Sequence, residues 1–295
     1  MKKIIIFLLT VLTGLSISAR TVSTVKKVKV QRAEQYSLSH AAFISNPHNN
    51  YRFTVVQSKP INGKAPRTQF RLAADKFGFS ALVSFMTVTV NGFHNSVISP
   101  KAEHLTSWQK KGKAGMDLKL NFDGAKLILR LYMRDDSPVL WGSVIPVKES
   151  LEPLKTIKLR FNAVISTIAK VNGKVARSKV YDRVAITPVR TLKQQSKAWQ
   201  LTPADTYLVL QDNKYDGSTA DKGQGPIMII LDHSAVKDAK LALRNEWLTS
   251  LDLELKPDSK SFDFGLWQQK PAISNKAFLE KLKKNKQAFQ REITK

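Results

Sequence analysis

Met116-Asp-Leu-Lys-Leu-Asn-Phe122, then Asp123-Gly124, then Ala125-Lys-Leu-Ile-Leu-Arg-Leu-Tyr-Met133: this stretch spells out two strands and the turn that joins them. Its first half alternates apolar and polar residues with period two, as a half-buried β-strand does. Asp123-Gly124 supplies the positive φ angles that a two-residue hairpin turn requires. With Phe122 and Ala125 flanking the turn, Leu120 faces Leu127, Leu118 faces Leu129 and Met116 faces Leu131, all on one side. On the other side Asp117 faces Arg130, an opposite-charge pair that contributes ~0.2–1 kcal/mol. A slip of one residue would break every match, so the register is well specified.

Similar patterns extend in both directions. Residues 77–90 are apolar and β-branched, a long buried strand stopped by Asn91-Gly92. Residues 139–145 are apolar on both faces, as an interior strand is. In residues 155–165, Ile157, Leu159, Phe161, Ala163 and Ile165 point inward while Lys158, Arg160 and Asn162 point outward. Asn172-Gly173 marks another hairpin, with a strand over residues 174–187. Residues 247–255 turn Leu251, Leu253 and Leu255 inward, and Phe262, Phe264 and Trp267 complete the last strand. Strands spaced by turns about every ten residues predict an all-β fold: a large, mostly antiparallel β-sandwich with a C-terminal amphipathic helix.

The ends differ from the middle. Lys2 and Lys3 precede an apolar run, and Ser16-Ile17-Ser18-Ala19 offers a small-x-small cleavage pattern, so residues 1–19 read as a secretory signal peptide and the protein as exported, periplasmic or extracellular. Residues 20–34 form a basic N-terminal arm whose valines equally suit an edge strand. Residues 35–272 form the sandwich. In residues 273–295, Phe278, Leu282, Phe289 and Ile293 share one helical face among many lysines, which predicts a brace packed on the sandwich or a contact with a membrane surface or envelope polyanion.

The 295-residue chain contains no cysteine and carries a net charge of +25. Disulfides and thiol catalysis are therefore excluded, and an ordinary apolar core must hold the fold. The basic surplus favours acidic partners. Residues 205–263 run against it, with eleven acidic and seven basic residues, which predicts one acidic patch on a basic body. No nucleic-acid partner is expected, since the basic residues do not alternate with aromatic ones on a stacking platform.

Two sets of residues are candidate sites. Long polar loops inside compact domains are commonly functional, and one follows the strand at residues 206–210. Its Asp212, Asn213, Asp216 and Asp221 are hard oxygen ligands suited to Ca2+ or to sugar hydroxyls, although the spacing and the flanking strands rule out an EF-hand. The second set is aromatic. Trp108, beside Lys110 and Lys111, Trp199, beside Lys197, and Tyr215 in the polar loop are candidates for stacking on sugar rings, whereas Trp141 and Trp247 lie in strands and read as core. The chain has no Gly-x-Ser-x-Gly elbow, no His-Glu-x-x-His and no phosphate loop.

The many long strands and the stretch Leu129-Arg-Leu-Tyr-Met-Arg-Asp-Asp-Ser-Pro-Val-Leu-Trp141 resemble secreted bacterial β-sandwich domains of the galactose-mutarotase-like kind. That resemblance implies carbohydrate binding or turnover. The catalytic His and Glu of that family match no position here, so activity does not carry over. The resulting expectation is an exported, non-catalytic protein that binds polysaccharide, with anionic glycans favoured. A glycan-active enzyme using Asp or Glu and a structural or adaptor protein of the cell envelope are the alternatives.

Overall fold

The computed structural model describes residues 20–27, 36–59, 68–73, 85–94, 105–163, 165, 169–171, 174–176, 182–215, 225–243, 249–269 and 273–290. In chain order the strands begin with β1 (Val22–Lys27), β2 (Tyr36–Ser45), β3 (Asn50–Ser58), β4 (Thr68–Ala73), β5 (Met86–Val90), β6 (Phe93–His94) and β7 (Leu105–Lys110). Next come β8 (Lys113–Phe122), β9 (Ala125–Arg134), β10 (Leu140–Pro146), β11 (Ile157–Ala163), β12 (Ala169–Val171), β13 (Lys174–Ala176) and β14 (Arg183–Ile186). The last are β15 (Thr191–Lys193), β16 (Trp199–Gln200), β17 (Tyr207–Asp212), β18 (Ile227–Leu231), β19 (Val236–Ala242), β20 (Thr249–Leu255) and β21 (Phe262–Gln268), followed by helix α1 (Asn275–Gln290).

The β8–β9 hairpin has the register its sequence dictates. Leu120 pairs with Leu127, Leu118 with Leu129, Met116 with Leu131 and Asp117 with Arg130. Asp123 and Gly124 take φ of 51° and 93°, and the Asn121 side chain accepts from the Gly124 N–H. Burial along β9 alternates without a break, so one row of the hairpin belongs to the core and the other to the opposite face.

Nine strands form one sheet in the order β15-β14-β17-β18-β21-β10-β9-β8-β7. Ten form the second, in the order β1-β2-β3-β4-β5-β11-β20-β19-β16, with β6 paired to β5; β12 and β13 make a separate hairpin. The inward leucines of β8 and β9 join Phe53, Val88, Leu159 and Phe161 of the second sheet in one continuous core, and Phe161 meets Phe264 across it with ring centroids 5.0 Å apart. This is the predicted mostly antiparallel sandwich. Val22–Lys27 is an edge strand rather than a loose arm. The Ser23 hydroxyl donates to the Trp108 carbonyl at 2.8 Å, so β1 lies along β7 and one side of the sandwich is closed.

A third layer is present. Helix α1 packs on the outer face of the nine-stranded sheet, where Phe278 stacks on Trp267 at 4.4 Å and Leu282 joins Val139, Trp141, Val209, Met228 and Ile230. Phe278 and Leu282 therefore act as the expected brace. Trp141 is buried, as predicted, but beneath this helix and not between the sheets. Among the described residues, no helix is long and apolar enough to cross a membrane. The signal peptide, residues 77–84 of the long buried strand, the Asn172-Gly173 turn, Trp247 and Ile293 lie outside the described residues.

One buried ion pair fixes the corner near β16. Asp205 is fully buried, receives Arg190 at 2.6 and 3.2 Å, and accepts from the N–H and hydroxyl of Thr202. Burial alone would raise its pKa, but the hydrogen bonds from Arg190 and Thr202 overcome that and hold the carboxyl at about 2. A depressed carboxyl stabilises the fold fully above the unfolded carboxylate range and ceases to do so as pH falls through its folded value. Asp205→Asn should therefore cost about 2 kcal/mol near neutrality and flatten the acid limb of the stability curve between about pH 4 and 2, as measured by urea melts across that range.

Candidate functional site

The antiparallel register brings seven outward-facing residues of the nine-stranded sheet into one row: Trp108, Gly115, Tyr132, Trp141, Gly265, Ile230 and Tyr207. Two glycines, Gly115 and Gly265, interrupt the large side chains for a steric reason. A Cβ on Gly115 would stand 2.7 Å from Trp108 Cζ2 and 2.6 Å from Tyr132 Cβ; one on Gly265 would stand 2.9 Å from Trp141 Cζ3. The glycines let the neighbouring rings approach over bare backbone. Trp108 and Tyr132 lie 6.1 Å apart with a 40° tilt.

Helix α1 covers only part of this row. Trp141 and Ile230 are buried beneath it, whereas Trp108 and Tyr132, at the β7–β9 end, are half-buried and reach solvent. Charge surrounds the bared end. Lys110, Lys113 and Arg134 form the adjacent row, with the Lys110 ammonium 6.0 Å from the Trp108 centroid and Lys113 5.8 Å from that of Tyr132. On the other flank Asp117 takes both ends of Arg130, at 2.7 and 2.8 Å, and the Trp108 indole N–H at 2.9 Å. Arg130 also lies 5.6 Å from the Trp108 centroid. Burial pushes the Asp117 pKa up, but the hydrogen bonds from Arg130 and Trp108 outweigh it and hold the carboxyl below the usual range. Asp117 is thus a charged anchor that fixes both the ring and the guanidinium.

Such a surface can stack on the apolar face of a sugar ring and place cations around it. Aromatic faces suit both roles, and cation–π contact adds to them. Lys111 lies exposed in the β7–β8 turn beside this platform. Trp199 does not belong to it. It lies on β16, at the opposite side of the sandwich, packs against the inter-sheet core, and donates its indole N–H to the Lys193 carbonyl at 2.8 Å.

The polar-loop residues lie elsewhere, at the start of α1. Tyr215 is buried, and the Asn275 amide donates to the carbonyls of Asp212 and Tyr215 at 2.7 and 3.2 Å. Asp212 Oδ1 accepts from the N–H groups of Asp182 and Lys214, and Asn213 bridges Gln211 to the Asp182 carboxylate. Asp216 and Asp221 lie outside the described residues. Among the described residues, no group of three or more His, Asp or Glu is placed to hold a metal.

On the outer face of the ten-stranded sheet, Arg160 pairs with Asp252 at 2.5 Å, Lys237 with Glu254 at 2.7 Å and Lys240 with Asp238 at 2.9 Å. These acids come from the segment expected to form a separate acidic patch. Strand pairing sets them beside cations instead and compensates their charge.

No family model matches the chain, and no curated protein sequence matches it. Solved structures similar to it include two glycoside hydrolase family 36 alpha-galactosidases of Geobacillus stearothermophilus. AgaA, in complex with 1-deoxygalactonojirimycin, is 8% identical over 83% of this chain and 40% of its own length, with a TM-score of 0.34. AgaB is 7% identical over 82% of this chain and 41% of its own length, with a TM-score of 0.35. The chain therefore spans less than half the length of these enzymes.

Gly115→Ala tests the row directly. The added methyl must displace Trp108, Tyr132 or the strand itself, and should cost about 1–3 kcal/mol in urea denaturation. Near-UV circular dichroism should change with it. Lys119→Ala, on an exposed position of the same strand, should leave both within error.

Proposed function

We propose that the protein is exported and binds carbohydrate on the bared end of its aromatic row, with a preference for anionic glycans. The observation that carries this reading is the juxtaposition of Trp108 and Tyr132 over Gly115, ringed by Lys110, Lys113 and Arg130. The two rings offer an apolar surface that reaches water, and the lysine ammonium groups carry no carboxylate partner in the same row. The net charge of +25 strengthens the approach of acidic polymers.

Six of the described carboxyl groups are held in the charged form. Asp117, Asp135, Asp136, Asp205, Asp238 and Glu254 are all shifted below the usual carboxylate range, each through hydrogen-bonded partners that favour the charged form. Held ionised, these groups accept hydrogen bonds and position cations.

Affinity electrophoresis against sulfated, carboxylated and neutral polysaccharides tests the reading. One anionic polymer should bind in ~0.15 M salt, where the Debye length is about 8 Å. Trp108→Ala and Tyr132→Ala should each weaken that binding about tenfold. Lys110→Ala with Lys113→Ala should reduce its salt dependence more than its strength in high salt. Equal binding to every polyanion, lost with salt and unaffected by Trp108→Ala, would refute the site.

A further inference from the structure

Among the described residues, burial begins two positions after the small-x-small pattern that ends at Ala19. Thr21 is 1% exposed, whereas Arg20 before it is exposed. Three hydrogen bonds hold Thr21. Its N–H and hydroxyl both donate to Asp135 Oδ1, at 2.7 and 2.6 Å, and its carbonyl accepts from the Gln109 amide at 3.3 Å. Two residues on, Ser23 is bonded to the Trp108 carbonyl. Asp135 is fixed in turn, since its own N–H donates to the Gly112 carbonyl at 3.0 Å. Both bonds from Thr21 fall on Oδ1, so the second carboxylate oxygen is left over beside Arg20. The hydrogen bonds from Thr21, helped by the nearby charge of Arg20, hold this carboxyl below the usual range. The backbone nitrogen of Arg20 precedes that of Thr21 by less than about 4 Å. A charge on it would stand within about 7 Å of the carboxylate, inside the Debye length in physiological salt. In an uncut chain that nitrogen is an amide and carries no charge.

We propose that the Ala19–Arg20 bond is hydrolysed, and that the α-ammonium group so released on Arg20 pairs with Asp135 and locks β1 in place. Water adds across the peptide bond under a leader peptidase of the export machinery. Ala19 leaves with the new carboxylate, and the amine of Arg20 takes up a proton. The inference rests on the export reading above and not on the glycan reading. The surroundings of Asp135 select this bond. A cut after Thr21 would orphan both the Asp135 carboxylate and the Gln109 amide, and a cut after Arg20 lacks the small residue before the bond. A cut before Ala19 would leave an uncharged amide beside Asp135. Since Ser23 and Gln109 tie β1 to β7, the lock also steadies the strand that bears Trp108.

Expression of the full 295-residue chain in a secreting bacterium tests this. The intact mass of the exported protein should place its first residue at Arg20. A Gly-Ser insertion between Ala19 and Arg20 keeps the small-x-small pattern and carries the ammonium about 7 Å away. Urea melts at neutral pH should then give a folding equilibrium constant about threefold lower. A carboxylate partner raises the pKa of an α-amino group above its ordinary ~7.7–8. The contribution is therefore full below that range and lost as pH rises through the folded value, so the threefold difference should vanish by about pH 9.5. The other charges around the group are the Arg20 guanidinium, Asp136 and Arg134 beside Asp135, Lys110, Lys111 and Lys113 beside Gln109 and Gly112, and His48 in the β2–β3 turn that Asn46 ties to Arg134. They are common to both proteins and cancel in the comparison. NMR titration of the α-amino group, labelled by reductive methylation, gives a second readout: its midpoint should fall back on Asp135→Asn. An exported protein that begins elsewhere overturns the proposal. So does one that begins at Arg20 and loses nothing on insertion, a result that leaves export standing. Retention of the uncut chain in the cytoplasm overturns both.

Discussion

A sheet whose central strands are apolar on both faces has to be covered twice. The nine-stranded sheet is such a sheet. Its β18 is buried residue by residue, and so is most of β10 and β21. One face is met by the ten-stranded sheet and the other by α1, through Trp267, Phe278 and Leu282. A helix of 16 residues is about 24 Å long, while nine strands at ~4.8 Å spacing extend well beyond that. The cover therefore ends partway across, and the uncovered remainder is where the aromatic row meets lysine and arginine in place of leucine.

Much of this was legible before any coordinates. The β8–β9 register follows from alternation and one Asp-Gly turn, because a half-buried hairpin tolerates only one alignment. The inward rows of β11 and β20 follow from the same reasoning. The brace role of Phe278 and Leu282 could be read from helical spacing. Strands β7, β15, β16 and β19 could not. They are short or heavily charged, and β19 carries a register shift between Val236 and Asp238 that breaks its period.

The candidate platform was half legible. Trp108, Lys110 and Lys111 stand out from composition alone, and the pairing of Asp117 with Arg130 is predictable within the hairpin. What stayed hidden is that Trp108 lies on a strand and that its cross-strand neighbour is a glycine followed by Tyr132. Gly115 shows no turn signal; its purpose emerges only once three strands lie side by side. Trp199 illustrates the converse: polar neighbours in sequence, but a ring packed toward the core.

The strand order also bears on how the chain reaches its native state. β7 to β10 form a local meander of hairpins, and β17 and β18 pair close in sequence. The two parts of the sheet join only where Leu140 of β10 pairs with Leu266 of β21. That joint must await synthesis of β21, more than a hundred residues after β10, and α1 can seal the outer face only after it. Pairing so distant in sequence makes for slow folding and a long-lived open strand edge. The strand left waiting is β10, apolar along most of its length, while the lysines and arginine that border the finished surface stand at the far end of the meander, on β7 to β9.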